Sequence, residues 1–272
     1  MTIECRRDLL RLDQAVGEET SQALVEGEIN VPETKEAAAK ILDINGEVII
    51  SSREVIQDRV MVEGILRYDV LYIPEDNTEI DSLDAEIGFT QYLELPGAKP
   101  KMAAQLKLNV EHIDYELVSG RKINVKSVLN LYGRVSEVME LEAVTDFFQL
   151  DDIEALRDSI RVSSTAGTGH SQTMVREDLE LTDSMPSVLK ILRKDAQVRI
   201  SEKKAADNKV VAHGDVDLRI LYLCEDEDEP IQYLAHSIPF SHVVEIPGAY
   251  QGMDCKADVV VTEFYADLRE NI

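Results

Sequence analysis

The chain of 272 residues has 28 lysines and arginines against 53 aspartates and glutamates, and its formal net charge is −25. Both parts are acidic, because residues 1–154 carry 15 basic and 32 acidic residues and residues 155–272 carry 13 and 21. Neither part offers a basic face for a phosphate backbone or an anionic lipid surface, which argues against a nucleic-acid partner. A hydrophobic content of 44% argues against a disordered acidic tail.

The N-terminal segment, the apolar runs and the cysteines indicate the cellular compartment of the protein. No apolar run approaches the roughly 18 residues of a membrane span, and Met1–Asp8 lacks the apolar stretch of a signal peptide. The three cysteines, Cys5, Cys224 and Cys255, have no CxxC spacing and do not suggest a disulfide framework. The sequence predicts a cytoplasmic protein without a membrane span.

The most informative feature of the sequence is an internal repeat. Residues 17–76 align without a gap with residues 167–226 at an offset of 150, and 16 of the 60 positions are identical. After one added residue the match resumes at an offset of 151, which places Pro96-Gly97 on Pro247-Gly248. Because solenoid units span only about 20–50 residues, a repeat of this length predicts two related domains.

Helices are predicted to be few and short. Glu33–Leu42 and its repeat Asp183–Leu192 fit a short helix, with Pro186 tolerated near the start of the second. Asp151–Arg157 fits a helical turn between the repeats.

Strands account for most of each repeat. The clearest is Val60–Ile73 with its copy Val210–Leu223, where apolar and polar residues alternate with the period of a half-buried strand. The other predicted strands are, in chain order, Glu47–Ser51, Phe89–Leu95, Gln105–Leu117, Lys122–Val135, Gln197–Ser201, Phe240–Ile246 and Lys256–Leu268.

The predicted fold is mostly β, with two tandem related antiparallel β-sandwich-like domains and minor short helices. Short connections between the strands indicate antiparallel pairing, and a strongly curved sheet in each repeat is the alternative left open. The predicted domains are 1–135 for the first repeat, 136–156 for an acidic linker, and 157–272 for the second repeat without its last strand.

Several positions shared by the repeats are predicted to be structural. Gly64 and Gly214 interrupt the buried face of the long strand, which predicts a bulge or a closely passing backbone. The other shared positions are strand tyrosines and the Pro-Gly turns, namely Tyr72, Tyr222, Pro96, Gly97, Pro247 and Gly248.

The sequence predicts no catalytic residue, cofactor site or metal site. No histidine is repeated between the domains, and GxSxG, HxH, HExxH and CxxC spacings are absent. The acidic tips Glu75–Glu79 and Glu225–Pro230 admit calcium, although neither has the D-x-D-x-D-G pattern of a calcium loop. The alternative function is therefore a ligand-binding β-sandwich that takes calcium or a glycan, without catalytic activity.

The order of the motifs resembles a known domain. Val60–Tyr72, Leu95–Ala98 and His112–Ile123 look like the SPOCS domain, which occurs in tandem in SipL-type spore-coat morphogenetic proteins. The second repeat keeps the first two motifs at Val210–Tyr222 and Ile246–Ala249. The resemblance covers nearly the whole chain, and its specificity lies in the order and spacing of the motifs.

The resemblance implies a non-enzymatic scaffold or adaptor protein that acts through protein–protein interaction in spore coat assembly. It implies a place in the mother-cell cytosol, on the forespore surface. The implied partners are coat morphogenetic proteins and, through a LysM domain, the sporulation ATPase called stage IV sporulation protein A. No LysM module occurs up to Ile272. An N-terminal fragment and a member that assembles differently both remain open interpretations.

The second repeat has no counterpart of one long strand. In repeat one, Lys122–Val135 follows the strand that ends near Leu117, whereas only residues 269–272 follow the matching strand in repeat two. A missing strand leaves an edge and an apolar groove, which sheets normally protect. The occupants left open are residues beyond 272, a strand of another copy, and the N-terminal segment. The predicted interaction edge consists of Val259, Val261, Phe264 and Leu268.

Overall fold

The computed structural model describes residues 4–76, 79–148, 156, 158–159, 163–181, 185–226 and 228–268. This described part contains nine β-strands, numbered β1 to β9 in chain order, and no helix. The strands form three antiparallel sheets of three strands each. The prediction of a mostly β fold with two related antiparallel domains is therefore confirmed.

The first repeat contains six strands in two sheets, with the orders β1-β6-β5 and β2-β3-β4. β1 and β6 are each 27 residues long, and β6 beyond residue 136 pairs with β1 alone. The strand bounds are Glu4–Asn30 for β1, Ala38–Ile56 for β2, Arg59–Pro74 for β3, Asp81–Glu94 for β4, Ala103–Ser119 for β5 and Lys122–Phe148 for β6.

The core of the first repeat lies between its two sheets. Alternate residues of the central strand β3, among them Leu66 and Tyr68, are fully buried and belong to the same cluster as Ile123 and Leu129 of β6. The hydroxyl groups of Tyr68 and Ser127 hydrogen bond across this core at 2.7 Å. Because a buried hydroxyl without a partner destabilises a fold, this bond lets two polar groups lie inside the sandwich.

The second repeat contains one sheet, with the order β7-β8-β9. β7 spans Val188–Ala206, β8 spans Lys209–Cys224 and β9 spans Ile231–Glu245. Residues 163–181 before this sheet and residues 253–268 after it are assigned to no strand. In repeat one, the equivalent stretches lie in the edge strands β1 and β5.

The sheets β2-β3-β4 and β7-β8-β9 have the same register. Gly64 lies opposite Phe89, and Gly214 lies opposite Phe240, as the offsets of 150 and 151 require. The three register shifts along β2 recur along β7 at positions 150 residues later. Since a slip of one residue would move every side chain to the other face, the shared register confirms the predicted equivalence of the repeats.

The predicted helices are wrong. The end of the predicted helix Glu33–Leu42 lies in β2, and residues 188–192 of the predicted helix Asp183–Leu192 begin β7. The central strands β3 and β8 need a hydrogen-bonded neighbour along these stretches, and this requirement outweighs a weak local helix preference. The predicted turn Asp151–Arg157 falls almost entirely outside the described residues.

Three other segments differ from the sequence interpretation. The predicted strand Lys256–Leu268 is wrong, because the strand that would pair with it, the counterpart of β6, has no equivalent in the described chain. Residues 136–148, assigned to the linker, continue β6 instead. β1 was not predicted at all. The domain boundaries at residues 135 and 157 stay a prediction.

Candidate functional site

A turn unit recurs at the same end of both sheets. Asp58 follows β2 in a left-handed conformation with φ 59°, and its carboxylate accepts a hydrogen bond of 2.9 Å from the N–H of Gly97. Asn208, with φ 57°, accepts the equivalent bond of 3.0 Å from Gly248. Both glycines have φ near 90°, a conformation that side chains disfavour. The Pro96-Gly97 and Pro247-Gly248 turns therefore fix one strand end against the neighbouring hairpin and serve the fold.

The two strand glycines allow a backbone and a ring to approach closely. A Cβ atom at Gly64 would lie 2.5 Å from the carbonyl oxygen of Ile49 and 2.7 Å from the ring of Phe89. A Cβ atom at Gly214 would be even closer to the carbonyl oxygen of Arg199. Each glycine lies opposite a register shift in the neighbouring strand, so its role is to accommodate a bulge.

Tyr72 and Tyr222 occupy matched buried positions but have different partners. The Tyr72 hydroxyl donates to the carbonyl oxygen of Glu36 at 3.2 Å and lies 3.3 Å from a carboxylate oxygen of Asp81. Burial, followed by the negative charge of Asp81, raises the pKa of Tyr72 to about 12. Burial also raises the pKa of Tyr222, whose side chain makes no hydrogen bond within the described residues.

Asp81 links the two repeats electrostatically. The ammonium group of Lys35 lies 3.0 Å from Asp81 Oδ1, and Lys190 of the second repeat contacts the same oxygen. Burial alone would raise the pKa of Asp81, but hydrogen bonds from Lys190 and Lys35 hold it below its ordinary value. One carboxylate shared by a lysine of each repeat stabilises their contact.

An apolar cluster and a second ion pair complete this contact. Leu71 of β3 packs against Leu192 and Leu223 of the second repeat, and all three side chains are buried. Beside them, Arg193 Nη1 lies 2.7 Å from Asp43 Oδ2. Positions 43 and 193 are equivalent in the two repeats, so the contact uses unlike charges at matched positions.

An open cleft of about 760 Å³ lies between the repeats beside this contact. Among its charged lining residues are Asp69 and Asp84 from the first repeat and Lys194 and Arg219 from the second. Burial, followed by the hydrogen bond with Asp84 and its charge, raises the pKa of Asp69 to about 6. The cleft is a charged groove, and each repeat contributes both acidic and basic residues to its walls.

One face of the second repeat is less well covered than its equivalent. Val60 of β3 is 0% exposed and its counterpart Val210 is 7% exposed, while Val70 is 0% and its counterpart Ile220 is 8% exposed. In repeat one the sheet β1-β6-β5 covers this face. In repeat two the described segments 163–181 and 253–268, which are equivalent to parts of β1 and β5, belong to no sheet.

The predicted interaction edge lies along the second of these segments. Val261 and Phe264 are half-buried and line the cleft between the repeats. Val259 and Leu268 are 41% and 52% exposed. The structure therefore brings two of the four predicted residues together at the cleft and leaves the other two at the surface.

Sequence reasoning missed the residues that join the repeats, namely Asp43, Asp81, Lys190 and Arg193. Their partners lie more than 100 positions apart in the sequence, so no local spacing reveals them. One signal was available, since position 43 is acidic where its equivalent 193 is basic. If two related domains contact each other through the same position on each side, an ion pair forms only when the two residues there have opposite charges.

Within the described ranges, no set of three or more His, Cys, Asp and Glu side chains is placed to hold a metal ion. His236 lies 3.3 Å from Glu177, and His242 lies 2.6 Å from Ser171, so each histidine has its own neighbour. No helix in this part of the chain is long and apolar enough to cross a membrane.

Comparison with known families agrees with the repeat. The sequence profile of the family described as SipL, SPOCS domain, matches residues 37–118 and 187–269. The two matches cover more than half of the chain, and their starting points differ by the repeat offset of 150. No curated protein and no solved structure gives a significant match. The chain thus belongs to the SipL SPOCS-domain family and contains two copies of the domain.

Proposed function

We propose that the chain is a scaffold or adaptor of spore coat assembly that acts by binding other proteins and not by catalysis. Membership of the SipL SPOCS-domain family indicates a sporulation-related protein. The tandem of two such domains is the observation that carries the proposal, because two linked binding modules can hold two partners at once or one partner more tightly.

The surface of the protein supports binding to other proteins. Beyond the sandwich, β1 and the end of β6 form a two-stranded extension with exposed apolar side chains, among them Leu9, Val138, Leu141 and Val144. Leu9, Val138 and Val144 share one face of this extension and Leu141 lies on the other, so both faces offer apolar contacts to another protein. The strongly acidic surface around them disfavours anionic partners and favours basic ones.

The proposed location is the mother-cell cytosol at the surface of the forespore, with coat morphogenetic proteins as partners. Both follow from the family resemblance. The proposed contact with stage IV sporulation protein A involves a LysM module, which the 272 residues do not include. The tandem domains are therefore assigned to other coat proteins.

The proposal is tested in sporulating cells with a fluorescent fusion of the chain. We expect fluorescence to gather around the forespore when the coat forms, and cross-linking followed by mass spectrometry to recover coat morphogenetic proteins. The control is the same fluorescent protein fused to an unrelated acidic protein of similar size. Uniform fluorescence throughout the mother cell, together with a normal coat in a deletion strain, would contradict the proposal.

A further inference from the structure

The sheet β1-β6-β5 becomes narrower along its length. β5 begins at Ala103, opposite Ser136 of β6, and β6 then continues to Phe148 paired with β1 alone. In the described part of the chain, residues 137–148 of β6 therefore have no strand on the side that faces away from β1. Because every second N–H and C=O group along an edge strand points outward, this stretch offers main-chain groups to an added strand.

The turn before β5 sets the place where this open edge begins. Lys101 has a left-handed conformation with φ 76°, and the N–H of Met102 donates to the carbonyl oxygen of Lys99 at 3.2 Å. This turn delivers the chain from β4 of the opposite sheet, so β5 enters its own sheet beside Ser136. The open edge of β6 is thus a consequence of how β4 and β5 are connected.

One face of the two-stranded extension, residues 4–15 and 136–148, is apolar. Leu10 lies opposite Leu141, and Leu12 lies opposite Met139. Leu141 and Met139 are 47% and 40% exposed, whereas the two leucines of β1 are half-buried. Because alternate residues of a strand share a face, this face continues the one on which Val135 is buried in the core. The apolar face of the sandwich therefore continues onto the extension, where its β6 side chains reach solvent.

The other face of the extension carries ion pairs. Arg7 Nη1 lies 3.1 Å from Glu142 Oε2, and Arg11 Nε lies 3.3 Å from Glu140 Oε1. All four side chains are more than half exposed, and ion pairs this exposed contribute little to stability. A carboxylate has two oxygens that each accept more than one hydrogen bond, so Glu140 and Glu142 can also bind a cation from the open side of β6.

The charge of the open edge indicates what kind of strand fits there. Residues 136–148 of β6 include four acids and no base, whereas residues 4–15 of β1 include three acids and three arginines. A second copy that paired antiparallel through the same edge would bring four acids against four acids, and like charges on facing strands are destabilising. The edge therefore favours a strand of another protein that carries lysine or arginine.

The opposite edge of the extension, along β1, is less suited to an added strand. The carboxylate of Asp13 accepts hydrogen bonds from the N–H of Thr165, at 2.7 Å, and from its hydroxyl group. A described segment of the chain, residues 163–181, thus already lies beside β1 at the base of the extension. The three arginines of β1 would also repel a basic strand.

We propose that residues 137–148 of β6 bind an extended segment of a partner protein, which adds to the sheet as a third strand in line with β5. The segment carries lysine or arginine beside Glu140 and Glu142, and the apolar residues between them cover Met139 and Leu141. Main-chain hydrogen bonds hold it to β6. This inference rests on the proposed adaptor function, because it assigns the edge that takes a coat protein.

The test uses the full chain and a synthetic peptide in which lysine and valine alternate over the length of the stretch 137–148. We expect one peptide to bind per chain. Every second amide of residues 137–148 is expected to exchange its hydrogen rapidly in the free chain and slowly in the complex, as measured by NMR. Absence of binding, binding without this change, or slow exchange of all these amides before the peptide is added would overturn the proposal.

Two control peptides separate strand addition from attraction between opposite charges. One has the same composition with all its lysines ahead of all its valines, and it is expected to bind about tenfold more weakly because it cannot place its charges and its apolar residues on separate faces. The other has N-methyl groups on alternate amides and is expected not to bind, since it cannot donate to an edge strand. If both bind as tightly as the alternating peptide, charge alone explains the binding and the proposal is rejected.

Variants on the apolar face locate the site. Leu141→Lys is expected to abolish binding, because it places a cation where apolar residues of the peptide pack. Val243→Lys, at an equally exposed apolar position on β9, is the matched control and is expected to leave binding unchanged. Equal effects of the two variants would place the peptide elsewhere and reject the edge.

A conservative pair of variants tests the charged face without disturbing the apolar one. Glu140→Gln combined with Glu142→Gln is expected to weaken binding about tenfold. Asp215→Asn combined with Asp217→Asn is the control of equal charge, since these carboxylates of β8 also pair with an arginine, Arg199. Equal weakening by the two double variants would show that only the net charge of the chain matters, which contradicts the proposal.

Solution mass separates a partner from a second copy. We expect a monomer before and after the peptide is added, and a dimer that the peptide dissociates would overturn the assignment to a partner. If the peptide fails to bind while coat proteins still cross-link to the chain in cells, the adaptor role stands and this edge is rejected. If the peptide binds at residues 137–148 while the fusion stays uniform and no coat protein cross-links, the edge stands and the coat role is rejected.

Discussion

Val60 and Val210 hold the same position in two sheets of identical register, yet only the first is sealed from solvent. The sheets β2-β3-β4 and β7-β8-β9 share their bulges, their turn geometry and their strand glycines. They differ in what covers them, because among the described residues only the first has a second sheet, β1-β6-β5, on its inner face. Local hydrogen bonding and turns therefore specify a three-stranded sheet, whereas sealing of its core depends on the second layer.

The largest expected effect tests the strand glycine that the two repeats share. Gly64→Ala and Gly214→Ala each place a Cβ atom against a backbone carbonyl and a phenylalanine ring, so each is expected to destabilise its own repeat by about 3 kcal/mol. Gly88→Ala is the control, since its Cβ atom would meet nothing closer than 4.0 Å. Chemical denaturation with amide exchange read separately in each repeat gives the values. Two neutral glycine variants would show that the close approach of the carbonyl oxygen and the ring does not require glycine in either repeat.

The next prediction tests how the two repeats differ in the burial of their cores. Val60→Ala removes two methyl groups from a sealed core and is expected to lower the stability of the first repeat by about 2 kcal/mol. Val210→Ala, at the matched position, is expected to cost about 1 kcal/mol, because its surroundings are already partly open to solvent. The same denaturation experiment measures both. Equal losses would mean that the second core is as well sealed as the first.

A third prediction concerns the contact between the repeats and its pH dependence. The pKa of Asp69 is raised from 3.8 to about 6, so the folded state binds this proton more tightly than the unfolded state. Asp69 therefore favours folding below pH 4 and loses this contribution as the pH rises through 6. Asp69→Asn is expected to stabilise the chain at pH 7 by on the order of 1–2 kcal/mol and to have no such effect at pH 3.5.

The control for this prediction is Asp81→Asn, because the pKa of Asp81 is lowered instead of raised. Its carboxylate stabilises the fold above the ordinary pKa of an aspartate, and this stabilisation is lost as the pH falls through the lowered value. Asp81→Asn is thus expected to destabilise at pH 7 and to become neutral in acid. Unfolding midpoints measured from pH 3 to pH 8 separate the two cases, and parallel curves for both variants would contradict the assignment.

The shared sheet could be predicted from the sequence, and so could β5 and the first half of β6, whereas β1 could not. Identical residues at a constant offset, such as Gly64 with Gly214 and Tyr72 with Tyr222, fix the register without any knowledge of the fold. β1 escaped prediction because a register shift between Ala15 and Gly17 interrupts its alternation. A period of two cannot be recognised across a bulge.

The predicted interaction edge of Val259, Val261, Phe264 and Leu268 stays a prediction. The structure places two of these residues, Val261 and Phe264, at the cleft between the repeats. The contact between the repeats could not be predicted from the sequence. Its ion pairs, Lys190 with Asp81 and Arg193 with Asp43, depend on how two folded sheets meet. Ion pairs of this kind follow from tertiary placement and have no local sequence signature.

The smallest expected effect contrasts the matched tyrosines. Tyr72→Phe removes a hydroxyl that donates to the carbonyl oxygen of Glu36 and lies beside Asp81, so a loss of about 1 kcal/mol is expected in the first repeat. Tyr222→Phe removes a hydroxyl without a side-chain hydrogen bond among the described residues, and the expected change is below about 0.5 kcal/mol. Both rings keep their apolar contacts, which makes each variant a control for the other. If Tyr222→Phe lowers the free energy of unfolding as much as Tyr72→Phe does, the Tyr222 hydroxyl has a hydrogen-bond partner in solution, and the two tyrosines are equivalent in bonding as well as in position.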